Sequence, residues 1–134
     1  MGGSKTLLWT NPNITEGSGY NPNVTFAAQA ISAVTNTMDY DYFIVEIILH
    51  GFRFYLNEII FFKDTNSDYG KSVMINPICP SPNGFRFARR NMGFNVTNGN
   101  LYISNAGYMD TYGSSSLVDD NHFLIPYKIY GVKL

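Results

Sequence analysis

The chain has 134 residues, 45% hydrophobic and only 14% charged, with a formal net charge of -1. One domain of this size can bury a two-layer core without staples, and so balanced a charge leaves no electrostatic footprint for nucleic acid or acidic lipid. Asn, Ser, Thr, Gly and Tyr stand where charge is missing, and ten Tyr and ten Phe favour sheet over helix.

Residues 1–5 read as a linker or remnant ahead of the fold, with no secretory leader expected. A short first strand is expected over 6–10, stopped by Asn11-Pro12 and followed by a polar loop. Residues 24–34 alternate, placing Val24, Phe26, Ala28, Ala30 and Ser32 on one face and Thr25, Ala27, Gln29, Ile31 and Ala33 on the other. Over 41–50, Phe43, Val45, Ile47 and Leu49 share one face, and Tyr42, Ile44, Glu46, Ile48 and His50 the other. A strand apolar on both faces is a central one, covered on each side or set in a subunit interface. The run is interrupted by Glu46 and too short to span a bilayer, so no membrane insertion is expected.

Further strands are expected over 58–63 and 71–75, around the turn-forming Asp64-Thr65-Asn66-Ser67-Asp68. The proline-rich stretch 76–84 reads as a turn. It carries Cys79, the single cysteine, which reads as a buried structural thiol. No intrachain disulfide is possible, so an oxidising compartment is neither required nor excluded. Phe85 and Phe87 alternate with Arg86 and Ala88. Phe94-Asn95-Val96 and Leu101-Tyr102-Ile103 flank Asn98-Gly99, the signal for a type I′ hairpin. Residues 107–121 read as a long polar loop.

The last stretch crowds aliphatic and aromatic residues around Pro126. Chain ends fray unless tied down, so a final strand paired into the sheet is expected, with Pro126 at an edge, a bulge or a strand start. No helical period, heptad or internal repeat is present. The expected fold class is all-β: a single antiparallel, jelly-roll-like β-sandwich of about eight strands over 6–134.

Few residues carry chemistry. His50 ends the central strand and reads as a satisfied sheet-edge residue. His122 follows Asp119-Asp120-Asn121, which lacks the oxygen-ligand register of a calcium loop, so no metal is expected. Glu46 and Glu58 are the strand carboxylates, and a glycosidase needs two carboxyls roughly 5–10 Å apart across a sugar. Glu46 shares a face with Tyr42 and Ile48, and an ion pair with an arginine is its plainer use. There is no nucleophile elbow, phosphate-binding glycine loop or zinc-ligand spacing, so neither enzyme activity nor a cofactor is expected. The sequons at Asn13, Asn23 and Asn95 read as coincidences of an Asn- and Thr-rich chain.

Arg86, Arg89 and Arg90 have two open uses: pairing with carboxylates on neighbouring strands, or forked recognition of an acidic sugar or teichoic-acid phosphate. Tyr102, Tyr108 and Tyr112, with Asn105 and Asp110, surround the long loop. Aromatic faces with Asn and Asp hydrogen bonds hold neutral saccharides on loops over a rigid scaffold. The same tyrosines could instead cover the sandwich edge or a subunit seam. These five residues with Arg89 form the candidate ligand site.

Three stretches together resemble a small domain at the C-terminus of tail-fibre and receptor-binding proteins from phages and prophages of Gram-positive, gut-type bacteria. The first is Leu7-Leu8-Trp9-Thr10-Asn11-Pro12 followed by Phe26-Ala27-Ala28-Gln29. The second is Met38-Asp39-Tyr40-Asp41-Tyr42-Phe43-Ile44-Val45-Glu46. The third is Leu124-Ile125-Pro126-Tyr127-Lys128-Ile129-Tyr130-Gly131-Val132-Lys133. The segment Gly51-Phe52-Arg53-Phe54-Tyr55-Leu56 is more aromatic than that family's pattern. The resemblance implies a distal fibre domain at the virion tip, made in the bacterial host, trimeric, non-enzymatic and attaching to a bacterial surface glycan or envelope component. Rival expectations are a free carbohydrate-binding module of a secreted enzyme and a structural cap that only trimerises the fibre.

Overall fold

The computed structural model describes residues 3–14, 24–50, 53–62, 73–74, 78–81, 84–110 and 116–134. Ten strands form among them: β1 (Ser4–Thr10), β2 (Gln29–Thr35), β3 (Tyr42–His50), β4 (Arg53–Phe62), β5 (Val73–Met74), β6 (Ile78–Ser81), β7 (Gly84–Phe94), β8 (Asn100–Asp110), β9 (Val118–Asp119) and β10 (Phe123–Lys133). The first sheet runs β1-β10-β3-β4. The second runs β2-β8-β7-β5, with β6 also on β7 and β9 also on β8. Every described pairing is antiparallel.

The two sheets pack face to face as the expected antiparallel β-sandwich. Phe43, Val45, Ile47 and Ile129 of the first sheet and Phe94, Leu101 and Ile103 of the second belong to one buried cluster. The rings of Phe43 and Phe94 meet across it, 5.4 Å between centroids. Insertion of β10 between β1 and β3, and of β8 between β2 and β7, gives the wrapping of a jelly roll. The β3–β4 and β7–β8 hairpins, each kept within one sheet, depart from it.

Several boundaries move. Ser4 and Lys5 pair with Lys133 and Val132, so strand β1 begins inside the expected linker. The alternation expected from Val24 onward fails, because strand pairing starts only at Gln29. Before it, Phe26 N–H donates to the Asn121 carbonyl at 3.1 Å, and Ala28 N–H to Asn105 Oδ1 at 2.8 Å. The buried residues are therefore Val24, Phe26, Ile31 and Val34. The expected proline-rich turn contains β6, paired with Gly84–Phe87 of β7. The turn at 64–68 and the Cys79 side chain lie outside the described residues.

The hairpin at Asn98-Gly99 forms, but not as type I′, which needs positive φ at both central residues. Among the described residues Leu124 alone, apart from glycine, has positive φ. Gly99 takes the left-handed conformation, φ 75°, and its N–H bonds the Asn95 carbonyl at 2.8 Å. Asn95 Oδ1 accepts from Thr97 N–H at 2.8 Å and Asn98 N–H at 3.3 Å, which builds a longer turn. Nor is 107–121 one loop. β8 runs on to Asp110, and β9 folds back so that Asp119 and Val118 pair with Gly107 and Tyr108.

The C-terminal strand is central, not at an edge. Pro126 sits at a register shift between β10 and β3, and β1 reaches only to Lys128 on the other side. The missing N–H thus costs no ladder bond on the β1 side. Asn11, 1% exposed, caps this irregularity: its Nδ2 donates to the Pro126 carbonyl at 2.8 Å and its N–H to the Tyr127 carbonyl at 2.7 Å. At the far end the Tyr40 ring lies on Gly131, where a Cβ would come within 2.6 Å of it. Asp41 N–H donates to the Val132 carbonyl at 2.8 Å, and Asp41 Oδ2 accepts from Leu134 N–H at 2.7 Å. The chain end is clasped from both sides.

Candidate functional site

The arginine cluster divides. Arg90 is fully buried and is neither an ion-pair partner nor an anion receptor. Nε donates to the Phe123 carbonyl at 3.3 Å, Nη1 to Phe26 at 2.8 Å and Ser104 at 2.7 Å, and Nη2 to Asn121 at 3.4 Å and Phe123 at 2.9 Å. All five N–H donors of the guanidinium thus end on main-chain carbonyls. Burial lowers its pKa from the ordinary guanidinium range to about 10. Arg90 ties β7 and β8 to the segment before β2 and to the start of β10. There it grips the carbonyl next to Leu124, whose φ of 52° is a left-handed conformation costly for a leucine.

Arg89 points the other way, since its neighbours Ala88 and Arg90 are both buried. It is half-exposed on the outer face of the second sheet, opposite Gly107, which in turn faces Asp119. The Arg86 side chain lies outside the described residues.

The tyrosines do not converge. Tyr102 is 45% exposed on that same outer face, whereas Tyr108 turns inward, with its ring 5.2 Å from that of Phe123. Asn105 serves the fold: its Oδ1 accepts from Ala28 N–H at 2.8 Å and from Asn121 Nδ2 at 3.0 Å. Asn121 Oδ1 in turn accepts from Ala106 N–H at 2.8 Å. Tyr112 and the Asp110 side chain lie outside the described residues. The Tyr102 and Arg89 positions are also separated: Tyr102 pairs with Gly93, four residues from Arg89 on β7, about 13 Å along a strand.

An open depression of about 170 Å³ lies beside Tyr102, lined by Asn91, Gly93, Asn95 and Ser104 with parts of Met92 and Phe94. A register shift between Arg90 and Met92 shapes it, because the extra residue on β8 lets Ser104 Oγ accept from Asn91 N–H at 2.9 Å. Ser104 also donates to the Asn105 carbonyl at 2.9 Å. The Asn95 and Ser104 side chains are thereby engaged, while Asn91 Oδ1 is buried with no hydrogen-bond partner. Sequence reading missed Asn91, Gly93 and Ser104. Nothing but a glycine beside a strand tyrosine marked the place.

The acidic set before His122 is a turn. Asp120 Oδ1 accepts His122 N–H at 3.0 Å and meets His122 Nδ1 at 2.7 Å. Glu46 and Glu58 stand directly opposite each other on the outer face of the first sheet, with Lys128 beyond Glu46. Glu46 accepts a hydrogen bond from the Tyr130 phenol, not from an arginine. Burial, and then the Glu46 charge and this bond, raise the Tyr130 pKa above its ordinary value. In the next row of that face Leu7, Tyr130, Ile44 and Ile60 lie side by side across four strands. Leu7 is 49% and Ile60 57% exposed. The strand expected to be covered on each side or set in a subunit interface is buried at Phe43, Val45 and Ile47 on one face and at Ile48 on the other, where Tyr42, Ile44 and Glu46 are only half-covered.

Comparison with protein-family models, with curated proteins and with solved structures finds no match for this chain.

Proposed function

We propose that this chain is the distal, non-enzymatic domain of a phage tail fibre, which attaches the virion to a bacterial surface glycan or envelope component as a homotrimer. One observation carries the reading most of the way: the three stretches of sequence resemblance, far apart in the chain, pack as a single unit. Asn11 holds the Pro126–Tyr127 irregularity, and Tyr40 and Asp41 hold Gly131, Val132 and Leu134. That is what residues kept together by one fold look like. The row Leu7, Tyr130, Ile44 and Ile60 supports self-association, since an apolar strip across a sheet is a surface that profits from cover. The uncharged lining of the depression beside Tyr102 supports recognition of a neutral polar surface.

The Tyr102 depression also favours a second reading, a carbohydrate-binding module of a secreted enzyme, which would act as a monomer. Fluorescently labelled protein applied to a panel of Gram-positive gut bacteria, with light scattering on the same sample, separates the two. Cell binding by a trimer is expected. A clean monomer that binds soluble polysaccharide but no cells would favour the second reading. Binding to neither overturns both.

A further inference from the structure

We infer that the depression between Asn91 and Tyr102 is a subsite for one neutral sugar ring, an assignment that rests on reading the chain as a surface-glycan adhesin. The Tyr102 side chain stands between two residues that cannot cover it, Gly93 on β7 and Ala30 on β2. Its ring is 45% exposed, on a strand paired on both sides. An aromatic face held in this way matches the apolar face of a pyranose.

Beside it the floor is polar but uncharged. No Asp, Glu, Lys, Arg or His is among the lining residues Asn91, Met92, Gly93, Phe94, Asn95, Tyr102 and Ser104. A phosphate or uronate would find no counter-charge there. Among the lining residues, Asn91 Oδ1 is buried without a hydrogen-bond partner, and burying an unmet acceptor is unfavourable. A sugar hydroxyl both donates and accepts, so it suits either end of the Asn91 amide once a turn of that amide brings Oδ1 to the depression. At about 170 Å³ the space takes on the order of ten water-sized groups, the scale of a single hexose rather than an oligosaccharide. The occupant is therefore one residue of a longer chain, its ring against Tyr102 and a hydroxyl on Asn91.

The test is a nitrogen-15 NMR titration of the whole chain with glucose, galactose, N-acetylglucosamine and rhamnose separately, and with glycerol phosphate and glucuronate as charged probes. Amide shifts confined to Asn91, Gly93, Tyr102 and Ser104 are expected with at least one neutral sugar and with neither charged probe. Tyr102→Ala should weaken that binding about tenfold. Tyr102→Phe keeps the ring and should retain it, and Asn91→Ala should weaken it with little change in melting temperature. No shift with any neutral sugar, equal shifts with the charged probes, or undiminished binding by Tyr102→Ala overturns the subsite. If the sugars fail while labelled protein binds cells, the subsite falls and adhesion stands. If a sugar binds here but no cell does, the adhesin reading falls and the subsite stands.

Discussion

Replacing Arg90 is the sharpest probe of how this fold is held together. Arg90→Met keeps an unbranched side chain in the site but withdraws the donors from the carbonyls of Phe26, Ser104, Asn121 and Phe123. The Asn121 carbonyl keeps its bond from Phe26 N–H, so three acceptors are left unmet; at about 1.5 kcal/mol each, the loss is about 4.5 kcal/mol. Relief from burying a cation opposes it: a pKa lowered by burial to about 10 corresponds to about 3 kcal/mol. The net expectation is a destabilisation of about 1.5 kcal/mol, or a melting temperature lower by roughly 5 °C. Arg90→Lys keeps the buried charge and offers three donors where five are used, so it should be at least as damaging. Urea unfolding followed by Trp9 reports the change directly, because Trp9 packs edge-on against Phe26, 6.0 Å between centroids. A lysine variant as stable as the parent would mean that charge alone matters there, and an unchanged methionine variant would mean that the carbonyls find other partners. Either result refutes the reasoning. The folded pKa lies below the unfolded one, so Arg90 adds pH dependence only above about pH 10, where stability on its account rises.

Gly131→Ala drives a methyl into the Tyr40 ring and should cost about 2 kcal/mol, read as a lower urea midpoint with the slope unchanged. Glu58→Lys replaces a like-charge pair with an opposite-charge pair across Glu46 and should stabilise by about 0.5 kcal/mol. That gain should shrink in molar salt; a salt-independent gain would point to packing instead. Tyr130 has its pKa raised by burial and by Glu46, so the folded state holds the phenolic proton longer than the unfolded chain. Its contribution is present below the ordinary tyrosine pKa and is lost as pH rises through the higher folded value. An ultraviolet titration should show one late-ionising tyrosine that moves earlier in Glu46→Gln.

The candidate site was only half legible in the residues. Tyr102 reads from the sequence as either a saccharide contact or cover for an edge or seam, and the structure leaves it 45% exposed. Asn105 and Tyr108 were grouped with it by proximity in sequence, but alternation along β8 and the bulge at Ser104 send them to different tasks: Asn105 to the backbone of Ala28, Tyr108 to the Phe123 ring. Asn91 carried no signal at all, since an asparagine in a strand means nothing until its neighbour across the ladder is known. Arg90 was misread for a related reason. Sequence shows a cation but not the four carbonyls gathered around it, which come from three separate parts of the chain.

By itself, the sequence determined the sheet-built sandwich, the burial of Phe43, Val45 and Ile47, and the anchoring of the final strand. These follow from local alternation and composition, which each segment carries within itself. Only tertiary structure decided that the last strand is central, that the stretch before it folds back as β9, and that Tyr102 stands uncovered between Gly93 and Ala30. Each of those depends on register between strands distant in the chain, and register is settled by which faces bury together, not by any one strand.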